Sequence, residues 1–572
     1  MSFLFAKQPS LRPSFLSLAV FTSPSHAFFL TSFKMSKHAR SNSAGEDDGL
    51  KHPSTKRAKE IDADTPFDNL SEALDEIKSD HKPRNVLHWF RSKDIRQEDN
   101  RGLHAASQKA KEGKGSLISM YLFSPRDMEW HGTSAARSDL ILQSLEILKK
   151  KLEEKNIPLA IVTMEERAGK AEAVLNFAKE HDVSHIHANY EYEVDELRRD
   201  LKLAHLVQKE KDLSFTCHHD QTVVTPGALL TGSGGPMKVF TPYHKQWLAV
   251  TKEDPSLMDV VPAPEGNDKS ASDTFSDLLK TKVPSLPESK QFPSNDDRDR
   301  IRALWPPGHE AGINRLNDFL THKASNYARD RINPALDPSS RLSAYFSSGL
   351  VSVREALTAT LKSNKNKHFD QGDEGIAAWV REIVFREFYR QMTVITPHNA
   401  MNLPQNLKFD NVKWEDDDEG WYKWCEGRTG VPFVDAGMRQ LNTEAYMHNR
   451  CRMNTSSYLR TNLLIDYRKG ERYFAEHLVD WDLSNNTQGW EPSYTVFNPV
   501  SQAEKCDKEG DFIRKWVPEL KGVKGKAVFD PYTRLSREEF AQLGYPEPHV
   551  DFRESKDRAV QRYKRDLADA DP

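Results

Sequence analysis

Short apolar runs alternate with helical periods along the first third of the chain. Asn85-Val86-Leu87-His88-Trp89-Phe90, Leu117–Phe123, Pro158–Thr163 and Val183–Ala188 are runs of strand length set between polar segments. Between them Leu140, Leu142, Leu145, Leu148 and Leu152 recur near helical spacing, and Ala171–Ala178 follows with a second period. Strands alternating with helices of this length predict βαβ units and a parallel sheet over 84–225. No GxGxxG follows the first strand, so the domain is Rossmann-like without the usual phosphate loop. From 301 to 525 the pattern is helical throughout, with Gly and Pro breaks and no alternating strand. The fold class expected is an α/β domain followed by an all-α domain.

The rest reads as connections and tails. Residues 226–300 are expected to link the domains, and 253–300 is rich in Pro, Ser, Asp and Lys. Residues 1–83 are expected to be a targeting and disordered tail, and 526–572 a C-terminal extension with one helix, Lys556–Ala568. Residues 1–34 lack Asp and Glu and carry Ser, Phe, Lys7, Arg12 and Lys34, like a mitochondrial presequence, and Met35 offers an alternative start. Lys56-Arg57-Ala58-Lys59 suits nuclear import, so nucleus and mitochondrion are both expected addresses.

Composition narrows the class. The 572 residues are 37% hydrophobic and 29% charged, enough to bury a core and too many for one ordinary domain. No apolar stretch is long enough to span a membrane. Lys+Arg 81 against Asp+Glu 85 gives −4, which excludes a globally basic DNA-coating protein but leaves room for a local basic cleft. Four cysteines without a CxxC pair argue against a disulfide framework and a zinc ribbon, and no metal site is expected. Eight of the eleven tryptophans fall between 301 and 520, where indole suits packing, stacking on bases or flavins, and carrying an electron hole.

An ordered set of motifs then stands out in the second half. It comprises Ser339-Ser340-Arg341-Leu342-Ser343, Trp379-Val380-Arg381-Glu382, Arg386-Glu387-Phe388-Tyr389-Arg390, Gly430–Leu441, Met447–Met453, Asp480–Asn486 and Phe497-Asn498-Pro499. In order and near-spacing this set resembles the photolyase/cryptochrome family, and within it the fungal-like class I photolyases acting on cyclobutane pyrimidine dimers. The resemblance covers about 84–535. It implies reduced FAD as cofactor, DNA containing such dimers as partner, a monomer and no membrane association. The activity implied is light-driven electron donation that splits the dimer, and the rival reading is a cryptochrome-type blue-light photoreceptor with weak or no repair.

The resemblance also assigns roles. Tyr327, Ser339, Ser340, Arg341, Leu342, Ser343, Trp379, Arg386, Asn449, Asp480, Trp481, Asp482 and Asn486 would hold the cofactor. The serine hydroxyls at an expected helix start suit phosphate, Arg386 can meet phosphate bidentately, both aspartates would accept from the flavin imide, and Asn486 would face N5. Glu382 and Asn486 would be catalytic. Arg331, Glu382, Phe385, Arg386, Tyr389, Asn449, Arg450, Met453 and Gln502 would contact lesion or DNA backbone. His448-Asn449 matches dimer photolyases, where (6-4) enzymes carry a second histidine. Arg450, Arg452 and Arg460 form a stretch without acidic neighbours, a candidate phosphate patch.

Three departures accompany the match. Electron transfer from the surface to oxidised flavin would use Trp414, Tyr467 and Trp490, but Tyr467 replaces a middle tryptophan and predicts slow photoreduction. Phe385 and Tyr446 likewise replace tryptophans, and Phe385 offers less overlap for base stacking. After Trp490 a segment bearing another lesion-contacting tryptophan is missing, and Glu491–Thr495 runs straight into Val496-Phe497. Either that wall is truly absent or a short coding piece has been skipped. Asn189–Val194 resembles the segment that meets an antenna pterin, while Ala400 and Met401 replace folate-holding residues. Whether an antenna here would be folate or deazaflavin stays open.

Overall fold

The computed structural model describes residues 50–130 and 132–568. The presequence-like stretch and Met35 lie outside these, as do the last four positions. Five parallel strands form one sheet in the order β3-β2-β1-β4-β5: β1 Asn85–Phe90, β2 Leu117–Phe123, β3 Leu159–Thr163, β4 Val183–Asn189 and β5 Ser214–His218. The first four strands coincide with the apolar runs. β5 (Ser214-Phe215-Thr216-Cys217-His218) went unread because it is a partly exposed edge strand carrying polar residues. The chain steps outward from β1 to β2 and β3, then returns to the other side of β1 for β4. That reversal leaves a crevice beyond the strand C-termini, where open α/β sheets bind ligands.

Helices make up the second half, beginning at Asn295–Leu304. Its central member, Glu374–Ile395, is 22 residues long and packs on the α/β domain through the helix Phe240–Glu253. That helix corrects the linker expectation for 226–300. Phe240, Tyr243 and Trp247 recur at i, i+3 and i+7 and are buried on one face, and Trp247 Nε1 donates to Glu387 at 2.8 Å. Farther on, Asn267 caps the edge of β2, accepting from Leu117 N and donating to Leu117 O, each at 2.8 Å.

The expected tail is also structured from residue 50. Ser54 and Thr65 cap the helices Thr55–Ala63 and Pro66–Asp75, with Pro66 at the first turn of the second. Leu70 and Ala73 are buried against the helix Val194–Val207, and Asp62 accepts from His398 Nδ1 at 2.6 Å. Short polar helices read as disorder because their few apolar residues find partners only across the fold. At the other end, 526–568 is part of the helical domain. Tyr563 on the helix Phe552–Ala568 is buried and donates to the Arg460 carbonyl at 2.6 Å, and Tyr545 donates to Asp435.

A buried ionic cluster fastens the two halves. Arg354 pairs with Asp99 at 3.0 Å and Asp220 at 2.7 Å, and Arg96 pairs with Asp220 at 2.6 Å, all with side chains at most 2% exposed. Arg96 also donates to the Gly349 carbonyl at 3.0 Å. Gly349 lies at φ 62°, with the Lys93 carbonyl where a Cβ would project, so glycine is required there. Burial works against Asp220, but the two guanidiniums hold its pKa well below the carboxylate range. Removing one partner of a buried pair strands the other charge. Arg354→Ala should therefore cost about 3–5 kcal/mol, read as a lower urea midpoint; an unchanged midpoint would show that the cluster does not bind the halves.

Candidate functional site

The serine motif is a turn. Arg341 sits at φ 51°, bonds Asp337 at 2.8 Å and Glu444 at 3.1 Å, and so bends the chain before the helix Ser343–Ser347. Ser340 Oγ accepts from Trp379 Nε1 at 3.3 Å and from Leu342 N at 3.3 Å. Ser339 Oγ and Tyr446 OH share a hydrogen bond at 3.0 Å. Phe319 joins this wall, tilted against Trp379 at 5.1 Å and edge-on to Tyr327 at 5.7 Å. The serine helix has only five residues, so its dipole contributes little to holding an anion.

The positive charge comes from Arg386. Its guanidinium donates to two carbonyls, Gln221 O at 2.6 Å and Phe346 O at 3.2 Å, the latter in the serine helix. Burial, with Arg390 adding to it and Asp482 opposing, pushes its pKa down to about 9. A guanidinium bound to carbonyls, one of them on the helix that the serine turn opens, fits a dinucleotide pyrophosphate.

The two aspartates differ in their partners. Asp480 accepts from Arg452 through both oxygens, at 3.0 and 2.8 Å. Asp482 Oδ2 pairs with Arg390 at 2.5 Å, and Oδ1 caps the helix Leu483–Trp490 through Asn485 N at 3.0 Å. A carboxylate offers about four lone-pair sites, so both aspartates keep capacity to accept from a flavin imide. Asn486 Nδ2 donates to Glu471 O at 3.0 Å, which leaves its Oδ1 to accept. His448 caps the helix Asn449–Ser457, accepting from Arg450 N at 3.2 Å, and Asn449 is exposed at the helix start.

Glu382 and Arg331 meet at 2.6 Å, each about one-third exposed. Burial raises the Glu382 pKa, opposed by Arg331, Arg381 and Arg450, and Tyr327 feels the same Glu382, Arg331 and Arg450 charges. Arg450 reaches Met453 Sδ at 3.5 Å, and the helix Pro499–Cys506 bearing Gln502 packs on that helix. The three-arginine patch does not form: Arg452 is tied to Asp480, and Arg460 is buried, donating to the Glu491 carbonyl. Phe385 has one ring face taken by Phe240, stacked at 3.3 Å and 7°, with Tyr389 6.0 Å away. Trp414 lies edge-on to Tyr467 at 6.0 Å, and Trp490 packs over Gly470.

Known proteins resemble this chain over both halves. The family described as DNA photolyase matches residues 86–265, and the FAD binding domain of DNA photolyase matches 379–565. A deoxyribodipyrimidine photo-lyase of Neurospora crassa is 39% identical over 88% of this chain and 86% of its own. One from Escherichia coli is 34% identical over 84% and 98%, respectively. Among solved structures, a class III photolyase from Agrobacterium tumefaciens aligns with TM-score 0.73 and 28% identity over 86% of this chain and 99% of that one. The chain belongs to the DNA photolyase family.

A second site in this photolyase lies beyond the strand ends, at the switch point. A cavity of about 120 Å³ is lined by Arg91, Ser92 and Lys93 after β1, Ser124 after β2, Glu191 and Glu193 after β4, and Trp481 and Leu483 of the helical domain. Its walls are paired charges: Arg91 with Asp200 at 3.1 Å, Arg199 with Glu191 at 3.1 Å, and Lys93 with Glu193. Burial pushes the Glu191 carboxyl up to about 8. Trp481, expected against the flavin, thus closes this cavity. Tyr190 and Tyr192 stack on His219, at 4.4 and 6.0 Å, and are not part of the lining. Neither Ala400 nor Met401 lines it. The strand-end positions Arg91, Ser92 and Lys93 went unread because a crevice site has no local motif; only the strand order exposes it.

Arg386 supports a measurable outcome. Arg386→Gln removes the free charge and keeps an amide, so purified protein should retain FAD at least roughly tenfold more weakly. Equal flavin affinity in the two proteins would show that Arg386 does not meet the phosphates.

Proposed function

We propose that this protein repairs cyclobutane pyrimidine dimers in DNA under blue light, with FAD held by the serine turn, Trp379, Tyr327, Arg386 and the Asp480–Arg452 pair. The observation that carries the reading is the meeting of Glu382, Arg331 and Arg450 beside Tyr327, at the edge of the wall that fits the cofactor. When bound, reduced FAD supplies the photoexcited electron donation that opens the dimer. The chain's own residues bind and orient. Asn486 Oδ1 is left to accept from a protonated flavin nitrogen, and Ser339, Ser340 and Arg386 meet phosphate. Arg331 and Arg450 meet the DNA backbone on either side of Glu382, with Met453, Gln502 and Tyr389 around them. A dimer pairs poorly and leaves the stack at low cost. Glu382, its pKa raised by burial, keeps a proton to higher pH and can donate it to the lesion carbonyls.

The antenna cavity is assigned to a second chromophore, folate or deazaflavin. Trp481 and Leu483 put its wall directly on the helix that carries Asn486 and Trp490. A photolyase from Sulfolobus tokodaii, 27% identical, is described with two FAD molecules and a light-harvesting role for one. The photoreceptor reading has less behind it: the Synechocystis cryptochrome aligns at 24% identity, which speaks to the fold alone. A relative from Saccharomyces cerevisiae, 33% identical, is named as mitochondrial, which supports a mitochondrial address beside the nuclear one.

The test is loss of dimers from an oligonucleotide under blue light against dark, with flavin bound and reduced. The wild type should clear dimers in light alone. Glu382→Ala should slow clearance about fivefold, the worth of one hydrogen bond of about 1 kcal/mol, with flavin content unchanged. Flavin-loaded protein that leaves dimers intact in light would move the assignment to photoreception.

A further inference from the structure

We propose that oxidised flavin in this protein draws its electron along Trp490–Trp424–Trp421 and not through Tyr467 and Trp414. The inference rests on the flavin reading above, in which Trp490 shares its helix with Asn486, the residue left to face a flavin nitrogen. Trp490 meets Trp424 at 6.1 Å, edge to face, and Trp424 stacks on Trp421 at 5.5 Å and 20°. Trp424 is fully buried, while Trp421 is partly exposed on the helix Asp418–Glu426. Three indoles therefore run in contact from the interior to water. Phe474 packs against both inner members, at 4.9 Å from Trp490 and 6.1 Å from Trp424, and fixes their angle. Gly470 leaves the space that Trp490 fills.

The Tyr467 branch is poorly built for a hole. Its hydroxyl is buried with no hydrogen-bond partner among the described residues, and burial drives its pKa far above the usual value. A tyrosine gives up an electron readily only as its proton leaves, and no atom of the described residues is hydrogen-bonded to its hydroxyl to accept that proton. Trp421 sits in the first turns of the helix Asp418–Glu426, where Glu419 pairs with Lys423 at 2.7 Å and Asp417 with His549 at 2.8 Å.

The electron count closes. Light moves one electron from Trp490 to the oxidised isoalloxazine, Trp424 refills Trp490, and Trp421 refills Trp424. The hole ends on Trp421, whose indole N–H releases its proton to water, and a thiol in solution returns one electron and one proton. Two such events join two thiols as a disulfide.

The experiment uses the full chain loaded with oxidised FAD, flashed with blue light in dithiothreitol. It reads flavin bleaching and the transient spectrum of the aromatic radical. Trp424→Phe and Trp421→Phe should each slow bleaching at least tenfold, and Trp421→Phe should abolish the long-lived indole radical. Trp414→Phe and Tyr467→Phe should bleach at the wild-type rate. Trp421 is partly exposed, so its variant tests the route even if Trp424→Phe fails to fold. Wild-type bleaching in Trp421→Phe, a tyrosyl spectrum in the wild type, or equal losses in both sets overturns the route while leaving the flavin reading intact. A wild type that binds flavin without forming any aromatic radical also overturns the route alone, whereas one that binds no flavin overturns the flavin reading and the route together.

Discussion

Everything at the two sites depends on the buried charges that join the halves. Arg96 and Arg354 stand between Asp99 and Asp220 with side chains almost wholly removed from water. Such a cluster is weak as a source of net stability, since desolvation cancels much of the attraction. Its value is geometric. Guanidinium forks fix distance and angle together, so Gly349 is drawn against the Lys93 carbonyl and the loop after β1 meets the helical domain in one register. The same junction lets Arg386 reach the Gln221 carbonyl and lets Trp481 close the cavity at the strand ends. If the halves shifted by even one side chain, the serine turn and the cavity would both lose their second wall.

Charge in the helical domain is distributed so that few cations stay available. Arg390, Arg452 and Arg341 are bound to Asp482, Asp480 and Glu444, and the buried Arg460 donates to the Glu491 carbonyl and Ser493 Oγ. Against that background Arg386 is conspicuous, because it holds only carbonyls and its pKa falls to about 9. A nearly neutral chain can then direct an anion to one place, with little competition from surrounding guanidiniums. The same economy applies at the mouth, where Arg331 is anchored on Glu382 and Arg450 touches only a thioether.

Legibility in the sequence followed the range of the interaction. β1 to β4 were readable because a doubly covered strand must be apolar along its own length, and the helical half was readable from its period. The helices at 55–75 and 240–253 were not, since their burial comes from residues more than a hundred positions away, and β5 was not because it is a short, partly exposed edge strand with polar residues. Site residues behaved alike. Ser339–Ser343, Trp379, Arg386 and Glu382 announce themselves in ordered motifs, and the structure ties Ser340 to Trp379, Arg386 to the serine helix and Glu382 to Arg331. The motif could not say that Asp482 caps a helix and holds Arg390, or that Arg452 and Arg460 are occupied, because these depend on partners brought in by folding. Arg91, Ser92, Lys93 and Trp424 carry no motif at all.

The three places where tyrosine or phenylalanine stands for an expected tryptophan share a feature that argues against random loss. Each smaller ring has taken a partner. Tyr446 uses its hydroxyl to hold Ser339 and lies under Arg341 at 4.8 Å and Arg452 at 5.4 Å. Phe385 is stacked flat on Phe240, and Tyr467 is roofed by Arg468. In all three a ring with a local structural contact replaces one free to stack or to carry charge. The short segment after Trp490 follows suit: the Glu491 carboxylate accepts from Gln405 N and Asn406 N, at 2.9 and 3.3 Å, and Phe497 N donates to Ser457. A fold that commits these positions to packing must carry electron flow on other rings, and Trp424 with Trp421 is the continuous indole run that leads from Trp490 to water.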